Sequence, residues 1–159
     1  MTAGVILVDV GIFSKHIERQ SPAEVFGAVR GYGLSCIQFN FETCGLPTMP
    51  DEIDDALCIG LRAELAAKEV VMVAVSGTFN MIHPDLEKRH RGLKRLTELA
   101  RVCPLLGTSI ITLCTGTRDA GYMWRRHPNN DEPDAWSDLV MSLEPALTAA
   151  AEHNVVLAF

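Results

Sequence analysis

The chain has 159 residues, 48% of them hydrophobic and 21% charged, with a formal net charge of -6. That size and composition fit one globular domain, 1–159, able to bury roughly 70% of the surface its unfolded form exposes. The acidic balance, with no basic run to offset it, argues against a nucleic-acid backbone as main partner.

The N-terminal apolar run has no basic residues ahead of it and stops at Asp9, which makes it too short for a signal peptide or a membrane span. The cysteines at 36, 44, 58, 103 and 114 form no Cys-x-x-Cys pair and no metal-ligand spacing. Most lie in or beside apolar runs, as buried free thiols do. A reducing, cytoplasmic location is the expectation.

Val5–Val10 reads as a first buried strand, followed by a polar loop carrying His16. Ser21-Pro22-Ala23-Glu24 is a capping box with proline at the first helical position, so a helix starts there and runs to about Tyr32, with Gly33 free to exit left-handed. Leu34–Phe39 is a second strand, and Asp51-Glu52 opens a helix with Ile53, Leu57, Leu61 and Leu65 as its apolar stripe. Val71–Val75 is an uninterrupted apolar run that predicts a strand buried on both faces of a parallel sheet. A polar loop follows it, and Pro84 and Asp85 suit the first turn of the next helix.

That third helix carries Leu86, Leu93, Leu96, Leu99, Ala100 and Val102 on one side and ends at Gly107. Its basic cluster, Lys88-Arg89-His90-Arg91 with Lys94 and Arg95, reads as a solvated outer face. Ser109–Leu113 is a fourth strand, Cys114–Asp131 the longest loop, and Pro133 and Asp134 start a fourth helix with Trp136, Val140, Leu143 and Leu147 on one face. Asn154 closes it ahead of a fifth strand, Val155–Phe159. The alternating order implies a parallel α/β sheet. Strand-to-helix connections are long and helix-to-strand ones short, so loop material gathers at the carboxyl ends of the strands, where such folds bind ligands. The chain stops inside an apolar strand, which implies a covered edge: a longer protein, a homo-oligomer or a partner.

Phosphate-loop signatures fail on context. Gly31-x-Gly33 follows a helix, and Thr115–Gly121 follows a strand but lacks the Gly-Lys-Ser/Thr ending, which leaves an anion site at Gly116 and Arg118 open. No nucleophile elbow is present, and no cysteine has a histidine base nearby. What remains at the strand ends is Asn40, Asn80, His83, Thr115, Arg118, Trp124 and His127. Hydrogen-bonding groups, one fixed cation and an aromatic wall suit a small polyhydroxylated ligand. Each also has a plainer reading: His83 as a helix cap, Trp124 and Met123 as a lid on the core, Arg118 as partner of Asp119 or Asp131.

Ser76–Asp85, the arginines at 89 and 91, Thr115–Asp119, Met123-Trp124 and His127–Asn130 resemble the sugar phosphate isomerase/epimerase family, whose members are xylose isomerase-like TIM barrels. The resemblance covers the whole chain as the first half to five-eighths of such a barrel. It implies parallel (β/α) units of a (β/α)8 barrel, incomplete here, with five strands and four helices. It also implies a sugar or sugar phosphate substrate and a divalent metal, Mn2+ or Mg2+. In the family a Glu ending the fifth strand and Asp, His and Glu ending the sixth to eighth hold that metal, and the two glutamates move a proton through an enediol. The Glu is expected immediately after Phe159, so neither metal ligands nor catalytic residues are carried over onto this chain. The substrate-side positions are: Asn40, Asn80, His83, Arg118 and Trp124. The alternative expectation is an inactive half-barrel that self-associates or needs a partner; a complete flavodoxin-like domain ranks last, for want of a covering final helix and of a flavin or phosphate signature.

Overall fold

The computed structural model describes residues 8–159. Strands β1 (Gly11–Phe13), β2 (Cys36–Phe39), β3 (Val71–Ser76), β4 (Ile110–Thr112) and β5 (Val156–Ala158) form one sheet, every neighbouring pair parallel, in the order β1-β2-β3-β4-β5. Helices α1 (Pro22–Gly31), α2 (Asp55–Ala67), α3 (Leu86–Leu106) and α4 (Pro133–Glu152) connect them, each packed beside the next. Strand order that follows chain order, with no reversal, is the pattern of a barrel segment. A doubly wound sheet would reverse.

The capping expectations hold where the chemistry is local. Ser21 Oγ accepts the Glu24 N–H at 3.3 Å, with Pro22 opening α1 and Gly33 leaving it at φ +77°. Gly107 (φ +81°) and Asn154 (φ +54°) end α3 and α4.

Three expectations shift. The strand read at 5–10 is displaced: residues 5–7 lie outside the described residues, Val8 and Val10 are exposed, and pairing begins at Gly11. Glycine sets that start, since a Cβ there would lie 2.7 Å from the carbonyl oxygen and Sγ of Cys36 on the neighbouring strand. The second helix begins at Asp55, capped by Asp54, and not at Asp51. Residues 51–53 are held away from helical geometry by α3: Asp51 pairs with Arg95 at 2.7 Å, and the buried Ile53 N–H donates to Glu98 Oε1 at 2.9 Å. The third helix begins at Leu86, with Asp85 as its cap, accepting the Glu87 N–H at 2.9 Å.

Burial brings two further corrections. β3 is open in its first half, with Val71 and Val73 60% and 44% exposed, and closed in its second, with Ala74, Val75 and Ser76 all buried, so it is not covered on both faces throughout. The helices all lie on the convex side. Val156 on β5 and Phe13 on β1 are open on the same account. The apolar side chains of α4 also point the unexpected way. Its buried face is Ala135, Leu139, Ser142, Ala146 and Ala149, whereas Trp136, Val140 and Leu147 are exposed and Leu143 is half-buried. Small residues let α4 approach α3 closely, and the bulky stripe is left on the outside.

Glu98 fixes the entry to α2 and also bonds Arg101 twice at 2.9 Å. Glu98→Ala leaves the Ile53 N–H unsatisfied and is expected to lower unfolding stability by about 1–3 kcal/mol. Glu98→Gln, which keeps an acceptor, should lose less by urea titration.

Candidate functional site

The carboxyl ends of β1, β2 and β3 open onto a cleft of about 450 Å3. Phe13, Lys15 and His16 line it from β1 and the turn after it, Gln38, Asn40, Glu42 and Thr48 from β2 and its loop, Ser76 and Thr78 from the end of β3, with Met123 and Trp124 reaching over from the loop after β4; Lys15 and Glu42 pair with each other at 4.0 Å. Asn40 is buried; its Oδ1 accepts the Glu42 N–H at 2.9 Å and caps the short turn Phe41–Cys44, while its own N–H donates to Ser14 Oγ at 3.0 Å. Gln38 Nε2 donates to Thr112 Oγ1 at 2.8 Å, crossing the open concave face. Trp124 stands 62% exposed at the rim.

A second cleft, about 570 Å3, lies further out between the loop after β2, the loop after β3, the start of α3 and the loop after β4. Asn80 and His83 line it, and both are engaged by backbone. Asn80 clips two loops together: its Oδ1 accepts the N–H groups of Thr117 (2.9 Å) and Ile82 (3.3 Å), and its Nδ2 donates to the Thr117 carbonyl at 2.7 Å. Gly116 makes this possible at φ +85°, where an added Cβ would stand 2.2 Å from Asn80 Oδ1. His83 Nδ1 accepts the Asp85 N–H at 2.9 Å, so Nε2 carries the proton and faces the Ala120 carbonyl at 3.3 Å. His83 thus bonds the backbone of Asp85, the cap residue two positions on, and does not cap α3 itself.

Arg118 lines neither of these two clefts. It pairs with Asp138 and, at 3.4 Å, with Asp134, both on α4, and donates to the Ile82 carbonyl at 3.3 Å. The expected partners are engaged elsewhere, Asp119 with Arg125 and Asp131 with Arg126. Arg89, read from sequence as solvated, is 6% exposed and meets Asp138 from α3 at 2.9 Å, its Nε without a partner. Of the remaining sequence candidates, Thr115 lies beside Trp124 in a smaller depression, and His127 Nδ1 caps the turn Pro128–Asp131 through the Asn129 N–H at 3.2 Å. The five substrate-side positions therefore all lie at the loop end of the sheet, divided between two clefts and an ion-pair cluster. The sequence reading passed over Phe13 and Gln38, whose signal was their position at a strand's carboxyl end.

A model of the xylose isomerase-like TIM barrel matches residues 26–159. The chain belongs to the xylose isomerase-like TIM barrel family. A putative xylose isomerase from Rhodospirillum rubrum superposes with a TM-score of 0.69 at 12% identity, covering 94% of this chain and 52% of that one. D-psicose 3-epimerase from Clostridium cellulolyticum, solved with D-tagatose, gives 0.68 at 16% identity, covering 92% and 50%. A xylose isomerase-like TIM barrel protein from Mycobacterium smegmatis, solved with magnesium, gives 0.60 at 14%, covering 94% and 53%. The chain spans about half the length of these structures. No curated protein matches its sequence.

Within this part of the barrel, no three His, Cys, Asp or Glu side chains among the described residues converge to hold a metal, so no chemical step is routed through one here. Burial raises the thiols of Cys44 and Cys58 to about 11 and of Cys103 to about 12, which leaves them protonated and poor nucleophiles at neutral pH. None of the described helices is long and apolar enough to cross a membrane.

Partial burial pushes the Asp138 carboxyl upward, but hydrogen bonds from Arg89 and Arg118 outweigh it and hold the group below the ordinary carboxylate value. Its contribution is complete above that value, near pH 4, and lost as pH falls through the lowered one, because the unfolded chain takes up the proton first. Asp138→Asn should cost about 3 kcal/mol at neutral pH by leaving the Arg89 charge buried without its counter-ion. Stability measured between pH 5 and 2 should fall less steeply in the variant. Gly116→Ala should cost roughly 1–3 kcal/mol through backbone strain and loosen the Asn80 clip, seen as faster amide exchange at Thr117.

Proposed function

We propose that this chain forms the sugar-binding half of a barrel that isomerises or epimerises a ketose or aldose. The observation that carries the reading is the mouth cleft: amide and hydroxyl groups of Gln38, Asn40, Ser76 and Thr78 share it with the aromatic faces of Phe13 and Trp124. Paired polar groups around an aromatic surface match a sugar's hydroxyls and its C–H face. Asn40 and Trp124 are the contacts assigned to this cleft; Asn80 and His83 shape its outer neighbour, and Arg118 holds the loop that carries Trp124. The acids that exchange the proton, and the divalent metal that polarises the sugar oxygens, are assigned to strands beyond β5, as in the wider family. The epimerase solved with D-tagatose and the barrel solved with magnesium support the sugar and the metal in this reading.

The open concave face supports a second reading, an inactive module that buries Val71, Val73 and Val156 against a copy of itself. Ketose epimerisation assayed with Mn2+ separates the two. The first reading expects no turnover from the 159-residue chain and turnover once it is extended by three further βα units. Turnover by the short chain alone would overturn the division of labour. Sedimentation showing a monomer at micromolar concentration would remove the second reading.

A further inference from the structure

The outer cleft has a charge arrangement that the sugar reading leaves unused. Four charged side chains line it: Lys88, Arg91, Arg95 and Asp119. Two are already neutralised. Arg95 is held by both oxygens of Asp51, at 2.7 and 3.0 Å. Asp119 is turned into its own loop, where Oδ1 accepts the N–H groups of Gly121 and Tyr122 at 2.8 Å and Oδ2 pairs with Arg125 at 3.2 Å. Those backbone bonds hold its carboxyl below the ordinary range.

Lys88 and Arg91 are left. Neither has a carboxylate within ion-pair distance among the described residues. Lys88 Nζ approaches His83 Nε2 at 3.4 Å, but that nitrogen carries a proton and cannot accept. Standing three residues apart, the two cations share one side of α3 and repel each other. Lys88 also sits in the first turn, where the helix dipole disfavours positive charge. Such placement raises the energy of the empty protein, and an oxyanion seated between them removes both conflicts. The cleft adjoins the mouth, the two sharing Thr48, Thr78 and Met123 as common wall. Its remaining lining mixes the backbone-bonded Asn80 and the Tyr122 ring with apolar groups, Phe79 among them seated on Gly92, where a Cβ would lie 2.2 Å from the ring.

We propose that Lys88 and Arg91 form a phosphate subsite, which takes the phosphate of a small phosphorylated ligand whose uncharged part reaches the mouth cleft across Thr48 and Thr78. Two cations match a phosphate monoester, which carries nearly two negative charges at neutral pH. The identity of the uncharged part rests on the sugar reading above; the subsite itself does not.

Calorimetric titration of the protein with D-ribose 5-phosphate, D-ribose, inorganic phosphate and a short DNA duplex tests it. The phosphorylated sugar should bind at least about tenfold more tightly than D-ribose. Lys88→Gln/Arg91→Gln should abolish that advantage and the binding of inorganic phosphate. Lys94→Gln, on the same helix but outside the cleft, should change neither. Both altered side chains are exposed, and an unchanged urea midpoint confirms that the double variant is folded. Inorganic phosphate bound and lost in the double variant, with neither sugar bound, keeps the subsite and defeats the sugar reading. D-ribose bound as tightly as its phosphate, or phosphate binding indifferent to the double variant, overturns the subsite. Duplex binding tighter than the sugar phosphate and lost in the double variant overturns it too, by assigning the cations to a polymer backbone.

Discussion

One carboxylate holds the working end of this molecule together. Asp138 receives Arg89 from α3 and Arg118 from the loop after β4, and so joins two helices and the longest loop at a single point. Burying a guanidinium is costly unless a counter-ion accompanies it, so the three groups stand or fall together. Through Arg118 the cluster sets where the loop runs, and that loop delivers Met123 and Trp124 to the mouth. Ser142, one turn along α4, adds a buried hydrogen bond to the Met81 carbonyl at 2.7 Å and ties the loop after β3 to the same helix. Asn80 then clips that loop to the one after β4. The clefts inherit their shape from this chain of bonds.

The same organisation explains why fewer polar groups face the clefts than the sequence inventory offers. Long loops at the carboxyl ends of parallel strands carry many backbone N–H and C=O groups that need partners. Asn40, Asn80, His83 and His127 each supply at least one of them. What they leave over at the mouth is a lining of hydroxyls, a glutamine and aromatic rings, with Lys15 and Glu42 paired to each other, which suits a polyol without net charge. The adjoining cleft keeps the unpaired cations.

Most of the architecture was legible in the sequence. Alternating apolar runs and helix signals, together with the unequal loop lengths, gave the parallel sheet and the end that carries the clefts. Local capping chemistry placed α1, and glycine or asparagine in left-handed conformation placed the ends of α3 and α4. The misreadings share one cause, contacts distant in sequence. Arg89 looked solvated because it sits among Lys88, His90 and Arg91, and its counter-ion lies almost fifty residues on, in α4. The start of α2 was set by Glu98 and Arg95 on another helix. In α4, size was taken for burial, although the recurrence of small residues at 135, 142, 146 and 149 marked the face that packs. β3 was read as covered on both faces because an unbroken apolar run does not reveal how many layers flank it.

That exposed stripe has an optical consequence. The chain has two tryptophans, and both Trp124 and Trp136 stand outside the core, 62% and 69% exposed. Their emission in the native protein will already resemble that of indole in water, so intrinsic fluorescence will scarcely register unfolding of the interior. It will register instead the arrival of a neighbouring surface, with Trp136 moving to shorter wavelength when α4 is covered and Trp124 when the mouth is filled.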